Sequence, residues 1–449
     1  MDNKIIIVGA GPAGLGAAYR LNERGYANWK VVERHDYVGG LSASFRDAHD
    51  FTWDVGGHVL FSHYEPFDRM VDEALGTRYL EHLRESWIRI CSRWVPYPFQ
   101  NNLRYLPRQT LHECLMGLYA ISMNGHRKPG NFGDWILCTF GDGVAEHFMT
   151  PYNLKVWSTP LDTMSKDWIA ERVSVVDFER VLKNVILEQD DVSWGPNNKF
   201  KFPEHGGTGE IFRKTAEKFN GHIVYNRDLA WVDADKKKIG YSDGTTDTYD
   251  VLITTIPLDQ LVYKLKAGPD AVADAARRLV HNRVMIVGVG LARNDASDKN
   301  WMYFPEDRSP CYRVTYFSNY SPNNVPDIRT NFSLMGEVSY PQEGHLAEAD
   351  AVNNTLQGFI NTGLMTEADR DAVASVFTMD LDYAYPVPTL GRDRALSIIQ
   401  PYLERQDIYS RGRFGAWKYE VGNMDHSVME GIEVVDRLLC GKEETVIKG

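Results

Sequence analysis

At 449 residues the chain has room for two or three domains of roughly 100–200 residues each, with ample core. Hydrophobic residues make up 43% and charged residues 24%, the proportions of an ordinary globular protein. A net charge of −12 argues against a general nucleic-acid or anionic-membrane surface, so an anionic substrate must be gripped by a few local arginines.

The chain begins with a short apolar strand, Lys4 to Val8, that runs into Gly9-Ala-Gly11-Pro12-Ala13-Gly14. A helix is expected from about Ala13 to Arg24, then a second strand ending at Val31-Val32 and the acid Glu33. Together these make a dinucleotide-binding βαβ unit. Gly9 makes the tight turn, Gly11 lets backbone reach a pyrophosphate, Gly14 allows close helix–sheet packing, and Glu33 accepts from a ribose hydroxyl. The helix N-terminus adds N–H groups and positive dipole. A second glycine pair, Gly39-Gly40, followed by Leu41 and Ser42, resembles the extended fingerprint of flavoprotein oxidases and favours FAD over NAD.

From about Leu103 to Asn184 apolar residues recur at helical spacing, notably over 111–121 and 177–187, as in an inserted helical domain. From His222 the pattern changes to short strands: 222–225, 239–241, a turn at Asp243-Gly244, and 249–256, the last returning to the first sheet. The β-branched and aromatic runs 284–289, 312–317 and 332–338 predict a mostly antiparallel sheet. The expected fold is thus α/β: a discontinuous Rossmann-like FAD-binding domain with an inserted helical-bundle domain and a mostly antiparallel β-sheet domain. The boundaries are 1–90, 203–265 and 400–449 for the FAD part, 103–193 for the helices, and 91–102, 194–202 and 266–399 for the sheet.

Trp94-Val-Pro-Tyr97-Pro-Phe99-Gln100-Asn-Asn102 offers aromatic faces beside amides, suited to a nucleobase or to packing in a rigid turn. Asp54-Val-Gly56-Gly57-His58 sets a histidine after a glycine pair, where backbone can approach a ligand. His58 and His63 have no third partner nearby and make poor metal ligands. Arg172, Arg313 and Arg413, with Tyr303, Tyr320, Tyr385 and Tyr419, form a candidate diphosphate clamp of guanidinium forks and phenols. No Gly-x-Ser-x-Gly elbow, catalytic Cys/His context or zinc motif is present, so a bound flavin has to supply the reactive atom. The five cysteines lack Cys-x-x-Cys spacing, which suits a reducing compartment. With no signal peptide ahead of the first strand and no apolar span of bilayer length, the expected location is cytoplasmic.

Six blocks, 54–64, 94–102, 151–157, 194–197, 317–322 and 411–426, occur in the order seen in eukaryotic-type UDP-galactopyranose mutases, and the chain resembles that flavin-dependent family over nearly its whole length. The resemblance implies an isomerase that interconverts UDP-galactopyranose and UDP-galactofuranose with no net redox change. Reduced FAD N5 would attack the anomeric carbon, UDP would leave, and the N5–sugar adduct would open and reclose as the five-membered ring.

Carried over by position, His58 would lie beside flavin N5, and Arg172 and Arg313 would act on the departing diphosphate. Tyr97, Phe99 and Gln100 would hold uracil, while Tyr303, Arg313, Tyr320, Tyr385, Tyr419 and Asn423 would hold the diphosphate. Arg172 and Asn197 match two mobile loops near the sugar, and Asn153 and Trp157 complete the substrate positions. Flavin positions are Gly9, Gly11, Pro12, Ala13, Gly14, Glu33, Arg34, Gly40, Leu41, Ser42, Gly56, Gly57, His58, Arg413, Gly422, Asn423, Asp425 and Ser427. NADPH or NADH is implied as external reductant; lacking a second glycine fingerprint, the chain would have to receive it at the substrate site. The chain is shorter than fungal members, which leaves homo-oligomerisation open, and Met424 stands where they have glutamine. Alternatives are a mutase for a related UDP-sugar and an amine-oxidase-like flavin oxidoreductase.

Overall fold

Ile5–Val8 is apolar at every position and buried throughout, as a strand covered on both faces must be. In the computed structural model, which describes residues 3–124, 128–169, 175, 177–192, 198–219, 221–295 and 297–448, it is the central strand of a five-stranded parallel sheet. The order across that sheet is Ile408–Ser410, Val251–Thr254, Ile5–Val8, Trp29–Val32 and Ile223–Val224. Ile5 lies in register with Trp29 on one side and Val251 on the other. Strands from three distant parts of the sequence thus build one sheet, as the strand at 249–256 predicts.

The first helix, Pro12–Glu23, starts with proline in its first turn, where the missing N–H has no cost. It packs against the last helix, Met424–Cys440, with the two backbones nearly touching. A Cβ on Gly16 would sit 2.3 Å from the Val428 carbonyl oxygen, and one on Gly431 would sit 2.0 Å from that of Ala13. Only glycine allows this approach, and it brings Asn423, the N-cap of the last helix, toward the glycine turns of the first.

The second large sheet has seven strands in the order Val373–Val387, Val280–Leu291, Phe332–Pro341, Arg313–Tyr316, Trp301–Tyr303, Ser86–Ile90 and Arg93–Pro96. Every pairing is antiparallel except that of Trp301–Tyr303 with Ser86–Ile90. That parallel pair arises because the two strands from the first hundred residues are added at the edge from a distant part of the chain. Helices Arg108–Asn124, Phe132–Val144, Thr150–Trp157 and Phe178–Ile186 form the helical layer, where periodicity predicts it. Asn131 and Asp177 cap two of them, accepting from the N–H groups of Asp134 and Arg180 at 2.8 Å. Among the described residues no helix is long and apolar enough to cross a membrane.

The contact between first and last helices generates a stability prediction. Gly16→Ala or Gly431→Ala should cost roughly 1–3 kcal/mol by overpacking, read as a lower midpoint in urea, because the opposing atoms are backbone and cannot rotate away. Unchanged midpoints in both variants would mean that the helices separate freely at this seam.

Candidate active site

Two glycine turns meet at the carboxyl end of the parallel sheet. Gly9 adopts φ +101° and its N–H donates to the Val32 carbonyl at 2.8 Å. A Cβ there would lie 2.3 Å from the Thr255 hydroxyl, and one on Gly14 would lie 1.9 Å from the Gly9 carbonyl oxygen. The second turn is pinned to the first, since the Gly39 N–H donates to the Ala10 carbonyl at 2.8 Å and a Cβ on Gly40 would be 3.2 Å from the Gly11 Cα. Pro12 and Ala13 open the helix from this turn, and Leu41 and Ser42 continue the second.

Glu33 is buried, and it accepts from the Ala10 N–H at 2.7 Å and the His35 N–H at 3.0 Å. Its first role is therefore to shape the turn, with one lone pair on each oxygen left for a ribose hydroxyl. Arg34 points outward, its Nε donating to His35 at 2.9 Å.

Beyond the turns lies a cleft lined by Leu41, Gly56, His58, Arg313, Tyr385 and Arg413 among others. One carboxylate organises it. Glu337, deep in the strand Phe332–Pro341, accepts from Arg313 Nε at 2.7 Å and Nη2 at 2.8 Å, a bidentate fork. It also accepts from the Tyr312 hydroxyl and, at 3.1 Å, from the Gly57 N–H. Burial opposes its charge, yet the Arg313 guanidinium holds the carboxyl below its ordinary range. His58 is half-buried, with its Nδ1 shielded from solvent and finding no protein partner among the described residues. Burial, then the charges of Arg413 and Arg313, pushes its pKa down to about 3, so the ring is neutral at any working pH.

The aromatic candidates gather on the other side of this fork. Trp157 is buried and packs edge-on against Tyr419 at 4.8 Å and Tyr385 at 6.1 Å. The Tyr385 and Tyr312 hydroxyls lie 3.0 Å apart, and the Arg413 guanidinium sits 5.5 Å over the Tyr385 ring. Arg413 also donates from Nε to the Gly422 carbonyl at 2.8 Å. Tyr303 stands 5.3 Å from Tyr97, and Tyr320 is buried against Phe202 and Phe317.

Phe99 is buried and stacked on Phe148 at 4.5 Å, and Gln100 beside it is also buried. Asn153 turns back to its own helix, donating to the Met149 carbonyl at 2.7 Å. At the last helix, the buried Asp425 meets His63 and His426 at 3.0 Å each, and Ser427 donates its N–H to the Asn423 carbonyl. Arg172 and Asn197 lie outside the described residues.

Residues 7–74 match the NAD(P)-binding Rossmann-like domain family. A crystal structure of a reduced UDP-galactopyranose mutase superposes with a TM-score of 0.96 at 42% identity, covering 99% of this chain and 96% of that one. The chain belongs to the UDP-galactopyranose mutase family. A fatty acid isomerase from P. acnes (TM-score 0.65, 15% identity, 98% and 99% covered) and a putrescine oxidase bound to putrescine (0.66, 15%, 97% and 99%) share the fold alone.

Within this mutase framework, sequence reasoning passed over Glu337, Tyr312 and Arg84. Glu337 left a signal, a lone acid inside the apolar strand run Phe332-Ser-Leu-Met-Gly-Glu-Val338. Arg84, whose guanidinium lies 4.7 Å from the Tyr97 ring and 5.1 Å from that of Trp301, left none.

Two outcomes test this geometry. Glu337→Gln strands the Arg313 charge and should destabilise the protein by roughly 3–5 kcal/mol, seen in the thermal midpoint; a loss under about 1 kcal/mol would show that the fork is not interdependent. The second concerns pH. The unfolded chain binds a proton at His58 below about 6.5, whereas the folded chain refuses it until about 3, so this site removes stability as pH falls through that window. His58→Gln should flatten the acid limb of unfolding free energy against pH, and superimposable limbs would reject a neutral imidazole.

Proposed function

We propose that this protein is a flavin-dependent isomerase that interconverts UDP-galactopyranose and UDP-galactofuranose, with FAD resident in its reduced form. The observation that carries the reading is the Arg313–Glu337 fork beside His58 and Arg413 in one cleft, in a chain that belongs to the mutase family. The residues present fit FAD. The Gly11 and Gly40 turns approach so closely that a Cβ on Gly40 would lie 3.2 Å from the Gly11 Cα, at the start of a helix whose first N–H groups suit a pyrophosphate, and His58, whose buried Nδ1 has no partner among the described residues, lines the same cleft. When bound and reduced, the flavin supplies a nucleophilic N5 for the anomeric carbon.

The chain's own residues do the rest. Gly9, Gly11, Gly40 and the helix that starts at Pro12 hold the pyrophosphate, and Glu33 orients the ribose while bracing the turn. Arg313, fixed in orientation by Glu337, presents its remaining guanidinium donors to the diphosphate, with Tyr303, Tyr320, Tyr385 and Tyr419 as phenol donors around it. Such donors stabilise the charge that grows as UDP departs. Tyr97, Phe99 and Gln100 hold the uracil, Asn423 faces the diphosphate, and Arg172 and Asn197, outside the described residues, serve the sugar. His58, its pKa pushed down to about 3, carries no charge to compete for the diphosphate.

The molecular division proposed is an FAD domain of 1–90, 203–265 and 400–449, less the strand Ser86–Ile90, which joins the sheet domain, a helical domain of 103–193, and a sheet domain of the remainder. NADPH or NADH serves as external reductant at the substrate cleft. The five free cysteines support a cytoplasmic setting.

The test is to incubate dithionite-reduced, anaerobic enzyme with UDP-galactopyranose and separate the products, with UDP-glucose and UDP-arabinopyranose in parallel. Furanose should form only with reduced enzyme; equal turnover with oxidised enzyme, or none at all, defeats the reading. Arg313→Ala should cost roughly 2–4 kcal/mol of transition-state stabilisation in kcat/KM. Wild-type kinetics in that variant would remove Arg313 from the grip.

A further inference from the structure

Tyr303 and Arg313 are direct cross-strand partners in an antiparallel hairpin, and the loop that joins them spans residues 304–312. The loop's shape therefore sets how the phenol and the guanidinium stand relative to each other. Its first residue continues the ladder, with the Phe304 N–H donating to the Tyr312 carbonyl at 3.1 Å, and the rest folds back over a single side chain from another layer. Lys155, on the helix Thr150–Trp157, donates to the carbonyls of Phe304 at 2.9 Å, Glu306 at 2.6 Å and Ser309 at 2.6 Å. An ammonium has three N–H donors, and all three are used on this one loop.

We propose that Lys155 is the positioning residue of the diphosphate grip: by gathering three loop carbonyls onto one ammonium it fixes the spacing of Tyr303 and Arg313. The proposal rests on the reading of those two residues as diphosphate ligands.

The anchor itself is rigid. The Val156 carbonyl accepts from Asn282 Nδ2 and from the Ser339 hydroxyl, both at 2.8 Å, so the helix end is tied to two strands of the large sheet. Tyr152, from the same helix, packs edge-on against the Tyr303 ring at 5.4 Å. The helix thus meets one hairpin strand through Tyr152 and the loop through Lys155, while Arg313 is held from the opposite side by Glu337. A lysine is suited to this task because a compact charge can satisfy carbonyls arriving from different directions, which a planar guanidinium cannot.

The arrangement also makes the grip sensitive to proton loss. The charged and titratable groups facing Lys155 are the Cys311 thiol at the strand entry and the Asp307 and Glu306 carboxylates of the loop. Burial outweighs them and brings the ammonium down to about 8. Above that pH the neutral amine has only two donors for three carbonyls.

The test compares UDP with uridine, which shares the base and lacks the diphosphate, on flavin-loaded full-length protein. In Lys155→Met the dissociation constant for UDP should rise about tenfold while that for uridine stays within about twofold. kcat/KM for UDP-galactopyranose should fall with it. Equal weakening of both ligands, or UDP binding as in the wild type, overturns the proposal. A second measurement needs no variant: the UDP-to-uridine affinity ratio of wild-type protein should fall between pH 7 and pH 9, and a flat ratio overturns the proposal equally. Wild-type enzyme that makes no furanose defeats the functional reading instead. Active wild type beside an unaffected Lys155→Met defeats only the role of Lys155.

Discussion

A single buried carboxylate constrains the centre of this molecule. Glu337 accepts from both arms of the Arg313 fork, from Tyr312 and from the Gly57 N–H, so every side of it meets a donor. A lone buried acid would carry a desolvation penalty of several kcal/mol, and these donors offset it only while they keep their positions. The sheet that bears Arg313 and the glycine turn that bears His58 therefore share one anchor. Displacing either leaves a charge or an amide unpaired in the protein interior. The chemical consequence is that the anion-binding side of the cleft and the dinucleotide side are held at a fixed separation without covalent connection.

The dinucleotide side depends on close backbone contact. Gly16 and Gly431 let the first and last helices touch, and a Cβ on Gly412 would come 2.8 Å from the Ala13 Cβ. Arg413, the next residue, is thereby delivered into the cleft from a part of the chain some four hundred residues away from the glycine fingerprint. Two ends of the sequence become one wall of one site.

Legibility in the sequence follows the range of the interaction. The glycine turns, the acid after the second strand and the apolar strand periodicities are local patterns, and each appears where those patterns put it. The seven-stranded sheet was readable in kind but not in membership, because edge strands at 86–90 and 93–96 declare nothing about which distant strand they will join. The Glu337 fork was hidden for the same reason: its partners lie 24 and 280 residues away, and a charge in an apolar strand announces a need for partners without naming them. Phe99 shows the converse. Its aromatic, proline-bounded context fits a nucleobase or packing in a rigid turn, and in the fold the ring is buried against Phe148. Local composition cannot distinguish an aromatic that faces a ligand from one that faces a helix.

The shared fold makes the role of buried charge sharper. The fold is shared with a putrescine oxidase and a fatty acid isomerase. Architecture alone therefore decides neither the sign of the substrate nor the reaction. In this chain an arginine is held in a fixed orientation by an acid from a neighbouring strand, beside phenols, in a protein whose overall charge is −12. Against that repulsive background, long-range steering cannot recruit a diphosphate; recognition has to be short-range and geometric. Pairing Arg313 with Glu337 serves this end. It cancels most of the arginine's field at a distance while its guanidinium still lines the cleft, so that, on the proposed reading, binding is gained only by an anion that fits.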